Sequence, residues 1–328
     1  MPFDAVTRFM TSDYSLDLRQ PIALWADGAA RTSVTIAHLP PDVAKQRDIE
    51  AIVEVRSDHD EPLGSATFKS VDGRLEQVAS ESFLPPRTTL TDFGDRIEAE
   101  HRQLAERTLT WLRWRLCLPG GHAAVVGLQK GVVWEASDGA HGEIPRRFAM
   151  RISSLPLHRP TDGILLELRE SAPGVTSEPL RHELLREATE QLARNPRSAL
   201  VMGIAALEVG TKEFIEGRLP DAGWLVQEIP TPPVVRMIEE FLLILAKSGG
   251  LRVLPPPGRM LQRLRSGVKA RNRVTHTKGE PLAYPKLDER LADFRDVLYL
   301  LDYVGGRAWA IDHVRGETRA AMGLVPTA

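Results

Sequence analysis

The sequence of 328 residues is short of several things, and each shortage removes a class of answer. A single cysteine, Cys117, closes off an internal disulfide framework and any cluster of zinc-binding thiolates. Charge of one sign is missing too. The 42 basic and 44 acidic side chains leave a formal charge of −2, so an attraction to nucleic acid or membrane has to be local. The longest apolar run, Ala199 to Leu207, ends at Glu208 and falls far short of the ~20 residues that span a bilayer. No charged-then-apolar leader pattern occupies Met1–Ser15. There is no internal repeat, no low-complexity tract, no HExxH among the nine histidines and no glycine-rich phosphate cradle. At 42% hydrophobic and 26% charged residues, the composition is that of an ordinary globular protein. The expectation is a soluble, cytoplasmic protein of two domains, since roughly 150 residues make a domain.

What is present changes character near residue 175. From Gln20 to about Arg169 the pattern is of short strands. Arg31–His38 and Glu50–Arg56 alternate polar and apolar residues, and His122–Gln129, Arg146–Ile152 and Gly163–Arg169 are further candidates. One helix interrupts them, about Asp92 to Cys117, with Ile97, Leu104, Thr108, Trp111 and Arg115 on one face and Pro119 as its stop. After the linker-like Ser171–Ser177 the pattern turns helical. Thr176 and Ser177 are N-cap candidates for a helix carrying Leu180, Leu184, Leu185, Ala188 and Leu192, which Pro196 ends. Four more follow: Ser198–Glu216, apolar nearly all round and so central, then Pro232–Lys247, Gly258–Thr277 and Lys286–Tyr303. The fold class expected is α+β in two domains: a strand-rich domain with one long helix, residues 1–175, and an all-α helical bundle, residues 176–328.

Most short motifs fail on context. Asp92-Phe93-Gly94 copies a kinase metal-binding tripeptide without its companion loops, and reads as a helix N-terminus with an acidic cap. Ser266 and Lys269 have the Ser-x-x-Lys spacing of some acyl-transfer enzymes, again without companions. Asp58-His59-Asp60 reads as a turn. Trp111 and Trp114, interleaved with Arg113 and Arg115, read as core packing rather than base stacking. Glu208 reads as turned outward, because an unpaired interior carboxylate is costly.

One segment survives. Residues 258–279 contain Arg259, Arg263, Arg265, Lys269, Arg271, Arg273 and Lys278 and no acidic residue, a local field suited to polyanions. With Val268 as the centre of the buried side, Leu261 and Leu264 lie within roughly 40° of it at ~100° per residue. Arg271, Asn272, Thr275 and His276 fall within roughly 80°, so the apolar stripe runs into polar groups expected to face the bundle or a second subunit. Arg271 and His276 themselves stand about 140° apart, and converge only if the helix frays before Gly279 or two copies meet.

Arg271-Asn272-Arg273-Val274-Thr275-His276 resembles the signature of the HEPN superfamily, an arginine with a polar neighbour followed after four to six residues by histidine. The resemblance covers about residues 177–315, and the helix Ala199–Ile215 with its Glu208 is similar to the buried second helix of Apea-like members. It implies a HEPN-like bundle that dimerises and acts as a metal-independent endoribonuclease, often a toxin or an effector of antiviral defence. Catalytic roles then fall to Arg271, Asn272 and His276, and RNA binding to Arg263, Arg265, Lys269, Arg273 and Lys278. The chemistry suits these types. The 2′-hydroxyl of RNA is the nucleophile, an imidazole with an ordinary pKa near ~6.5 moves the proton, and a guanidinium holds the phosphate as charge builds. No cofactor or metal is called for. The partners expected are RNA, with a tRNA loop favoured by analogy, a second copy of the chain, and a regulatory ligand or phage component for residues 1–175; no membrane is expected. A non-catalytic RNA- or nucleotide-binding module and a dimerising sensor or scaffold stay open. So does a purely structural role in which Arg271 pairs with Glu208.

Overall fold

The computed structural model describes residues 3–11, 15–16, 22–27, 32–38, 51–59, 68–71, 74–77, 87–120, 122–128, 131–136, 141–144, 157–158, 160–171, 178–219, 221, 224, 228, 233–251, 253–276 and 283–324. It divides into two compact units, Met1–Ser177 and Glu178–Ala328. The first is built on an antiparallel sheet and the second is helical.

The strands are β1 (Phe3–Thr11), β2 (Ser15–Leu16), β3 (Ile22–Asp27), β4 (Thr32–His38), β5 (Ala51–His59), β6 (Phe68–Val71), β7 (Arg74–Gln77), β8 (Val125–Leu128), β9 (Val132–Ala136), β10 (His141–Ile144) and β11 (Leu157–His158). The main sheet runs β10-β9-β1-β5-β4-β3, and β8 pairs with the far end of β1 beyond β9. Alternation sorts the faces. Val34, Ile36, Val55, Ala5, Thr7 and Phe9 point inward, whereas Arg8–Glu54 and Arg56–Asp4 form cross-strand ion pairs at 2.8 and 2.6 Å on the other face. The 30-residue helix α1 (Arg87–Leu116) packs on β1 and β5. Phe93 and Ile97 of α1 join Ala5, Val132 and Ile144 in one apolar cluster.

Several expectations need correction. Gly163–Arg169 is helical, part of α2 (Asp162–Ser171). Its leucines, glutamates and arginine favour a helix, the Thr161 hydroxyl accepts from Ile164 N–H, and Leu165 is buried while Leu166 is exposed. Helix α1 begins five residues before Asp92, so Asp92-Phe93-Gly94 lies inside it and caps nothing. Asp58 and His59 continue β5 instead of turning. The central strand β1 has only a weak apolar signal in the sequence, because its inward positions include Ala5 and Thr7. Trp111 and Trp114 are buried. The Arg146–Ile152 candidate lies outside the described residues.

The helical unit contains α3 (Leu180–Gln191), α4 (Pro196–Arg218), α5, α6 (Gly258–His276), α7 (Tyr284–Val304), a 3-10 turn (Ala308–His313) and α8 (Gly316–Ala321). Helix α5 joins Val234–Arg236, a wide π turn Met237–Phe241 and Leu242–Ser248 without a break. Pro179, not Thr176 or Ser177, precedes α3, and those two lie outside the described residues. The buried face of α3 carries His182, Leu185, Arg186 and Ala188, with Leu180 exposed, because ion pairs draw His182 and Arg186 inward. Pro196 opens α4, whose Asn195 cap accepts from Ser198 N–H. Helix α4 is central, touching α3, α6 and α7. Two glycines let α7 come close: a Cβ at Gly203 would stand 2.7 Å from Leu291 and 2.9 Å from Phe294, and one at Gly210 2.5 Å from Leu298.

Two tests follow from this packing. Gly203→Ala overfills the α4–α7 contact and should cost about 1–3 kcal/mol in denaturant unfolding, whereas Gly217→Ala, with open space around it, should not destabilise. In the sheet unit, His101 of α1 is buried, with Nδ1 at 2.9 Å from the Thr7 hydroxyl and Nε2 at 2.6 Å from Ser57. Burial, helped by the charge of His59, pushes its imidazole down to about 3. The folded chain therefore binds fewer protons than the unfolded one below the ordinary value of ~6.5. The stability from His101 is complete above ~6.5 and is lost as pH falls toward about 3, by up to ~1.4 kcal/mol per pH unit. Denaturation at about pH 7 and about pH 4 measures the loss, and His101→Asn should flatten it.

Candidate functional site

Helix α6 enters from Pro255-Pro256-Pro257 and buries Met260, Leu261, Leu264, Gly267, Ala270 and Val274. Its seam is centred on Gly267, where an added Cβ would stand 3.3 Å from Phe294, and Val268 is only half-buried. The sequence pattern put the centre one residue later because glycine carries no hydropathy signal, although it allows the closest approach.

That rotation redistributes the candidate residues. At ~100° per residue Arg271 lies about 40° from the seam, while position 276 lies diametrically opposite it. Arg265, Lys269, Asn272 and Arg273 fall within about 60° of position 276, and all four are exposed. Asn272 and Thr275 therefore do not face the bundle, as expected from the pattern, and the Thr275 hydroxyl donates back to the Arg271 carbonyl at 2.9 Å. His276 ends the helix, and its side chain, like all of Lys278, lies outside the described residues. The structure does not bring Arg271 and position 276 to one side of the helix within a single chain.

Carboxylates of the same unit meet several of the arginines. Arg263 is half-buried and bidentate on Asp293, with Nε–Oδ2 2.5 Å and Nη2–Oδ1 2.8 Å, and its Nη1 lies 3.1 Å from Glu289. The hydrogen bond to Asp293 raises the Arg263 pKa above its ordinary value. Arg265 pairs with Glu239 of α5 at 2.5 Å in the open. Arg271 pairs through Nη2 with Glu208 of α4, and the two side chains are only 17% and 23% exposed. Glu208 is thus not turned outward. It sits beside an arginine that sequence order places 63 residues away. Ser266 is likewise engaged, donating to the Arg263 carbonyl at 2.9 Å and accepting from Arg290 at 2.8 Å.

The result is a helix with two chemically distinct sides. One holds the half-buried Arg271 guanidinium beside Glu208, a group whose remaining N–H donors have the geometry that grips an oxyanion. The other presents Arg259, Lys269, Arg273 and the Glu239-paired Arg265 outward. Asp293, Glu289 and Glu239, which set this division, were not legible as site residues, because a long-range ion pair leaves no spacing signature. A scan against protein-family models and searches of curated proteins and solved structures gave no match to this chain. Among the described residues no helix is long and apolar enough to cross a membrane.

The pair of Arg271 and Glu208 is sheltered enough to matter. A double-mutant cycle with Arg271→Met and Glu208→Gln should give a coupling of about 1–2 kcal/mol in denaturant unfolding, against under ~0.5 kcal/mol for the exposed pair Arg265–Glu239.

Proposed function

We propose that this chain is a metal-independent endoribonuclease of HEPN type, with α6 as its active helix and a second copy completing the site. The observation that carries the reading is the Arg271–Glu208 pair, which holds a guanidinium half-buried at the end of a basic helix, one residue before Asn272 and five before His276. Arginine stays charged at all working pH values and takes phosphate oxygens bidentately, which is what a phosphoryl transition state requires. His276 is assigned proton transfer to or from the 2′-hydroxyl or the leaving 5′-oxygen, and Asn272 a hydrogen bond to phosphate or imidazole. Lys269 and Arg273, with Arg265, draw the strand in by charge. Arg263 is saturated by Asp293 and Glu289, so its part is holding α6 in place rather than touching RNA.

On this reading the phase of α6 calls for a second copy. Arg271 and position 276 diverge by about 140° within one chain, and facing helices related by a two-fold axis bring an arginine of one copy toward a histidine of the other. A toxin or defence effector is the biological role that follows from the resemblance, with residues 1–175 serving recognition or restraint.

A second reading is favoured by the same pair: Glu208 already neutralises Arg271, so the outward basic face binds RNA without cutting it. RNA incubated with the purified chain and EDTA decides between them. The ribonuclease reading expects cutting, and a loss of at least ~100-fold in His276→Ala with binding in a gel shift intact. The binding module expects equal shifts and no cutting from either protein, and Lys269→Glu should weaken the shift in both cases, by a factor that shrinks as salt rises.

A further inference from the structure

Helix α6 is described as far as His276, which places the carbonyl of Val274 in the last described turn, where helix carbonyls carry partial negative charge. A donor from another element reaches it: Nη2 of Arg197 hydrogen-bonds to the Val274 carbonyl. Arg197 stands in the first turn of α4, directly after the Asn195 cap and Pro196. Unpaired N–H groups make that end of a helix partially positive, which disfavours a cation, and no acidic residue of the turn offsets it. The side chain instead reaches the C-terminal end of α6, where carbonyls carry the opposite partial charge. An arginine that is out of place on its own helix is well placed on its neighbour.

We propose that Arg197 is a positioning residue: its guanidinium clamps the last turn of α6 and so fixes the place of His276, two residues beyond the clamped carbonyl. The clamp stands on the hydrogen bond alone, and its consequence for catalysis rests on the ribonuclease reading. Val274 is buried and therefore anchored from below, while the turn that follows it has only Thr275, exposed, before His276. Without the clamp the last turn frays, and a proton-transfer group that wanders by about 1 Å loses on the order of 100-fold in rate.

The test uses the full chain with Arg197→Ala and Arg197→Lys. Arg197 is exposed, so neither substitution opens a cavity in the core. Amide hydrogen exchange is measured across α6, and steady-state cleavage of a single-stranded RNA oligonucleotide is followed in EDTA. For Arg197→Ala, exchange in the last turn should rise about tenfold, with α7 unchanged, because a hydrogen bond to a charged donor is lost. The kcat should fall at least ~tenfold with KM within about twofold, since the group acts on placement and not on affinity. Arg197→Lys keeps a cationic donor and should recover most of both. Unchanged exchange in the last turn overturns the clamp, and raised exchange with unaltered kcat overturns its role at the site. If the wild-type chain cuts no RNA, the ribonuclease reading fails on its own account. The exchange result then still decides whether Arg197 holds the turn.

Discussion

Three carboxylates inside one helix govern the helical unit. Asp293, Asp296 and Asp302 of α7 are at most 1% exposed, and an ion withdrawn so far from water is tolerated only beside an opposite charge with its lone pairs satisfied. Each draws in a different part of the chain. Asp293 takes Arg263 of α6 and Arg315, which precedes α8. Asp296 takes Arg315 at 2.8 Å and the Thr318 hydroxyl at 2.6 Å. Asp302 takes Arg181 at 2.5 Å, His182 at 2.7 Å and Arg307 at 3.3 Å. Burial pushes the Asp302 carboxyl upward, but the hydrogen bonds and charges of His182 and Arg181 outweigh it and hold the group well below the usual carboxylate range. Apolar packing makes the unit compact; these pairs decide how its helices are rotated.

The rotation of α6 is where this constraint meets function. With Arg263 locked on Asp293 and Gly267 against Phe294, the helix has one azimuth left, and that azimuth turns Arg271 toward Glu208 and turns Lys269, Asn272 and Arg273 away from the bundle. A segment with seven basic residues and no acidic one is, in its folded setting, partly neutralised by Asp293, Glu289, Glu239 and Glu208. What remains outward is a narrower basic face than the composition suggested, and it lies on the side of position 276. In the proposed chemistry the proton-transfer and oxyanion-binding groups would stand on two sides of one helix, which is why that proposal calls for a second copy.

Much of the helical half was legible in the sequence because a 3.6-residue period survives many substitutions. Helix α6 starts at Gly258 as its pattern implies and is described to His276, with Thr277 outside the described residues, and the apolar character of α4 marks it as central. What was not legible has identifiable physical causes. Gly267 holds the centre of a seam yet looks like no core residue. Glu208 follows a very apolar run, and its pairing with Arg271 is one alternative that no local spacing selects, because 63 residues separate the two. His182 and Arg186 replace leucines on the buried face of α3 because Asp302 and Glu178 wait for them. In the sheet half, β4 and β5 were readable from strict alternation, whereas β1 hid its inward positions in Ala5 and Thr7, and the leucine-rich α2 imitated a strand over a short window. The residue types of the candidate site are legible in the sequence; their orientation depends on the packing around them.

The most direct measurement is the chemistry of the RNA ends left by the intact chain in EDTA. Attack by the 2′-hydroxyl predicts 2′,3′-cyclic phosphate and 5′-hydroxyl termini, and no scission at a linkage whose 5′-side nucleotide is 2′-deoxy. Scission with 5′-phosphate ends, or equal cutting of the 2′-deoxy linkage, would contradict the account.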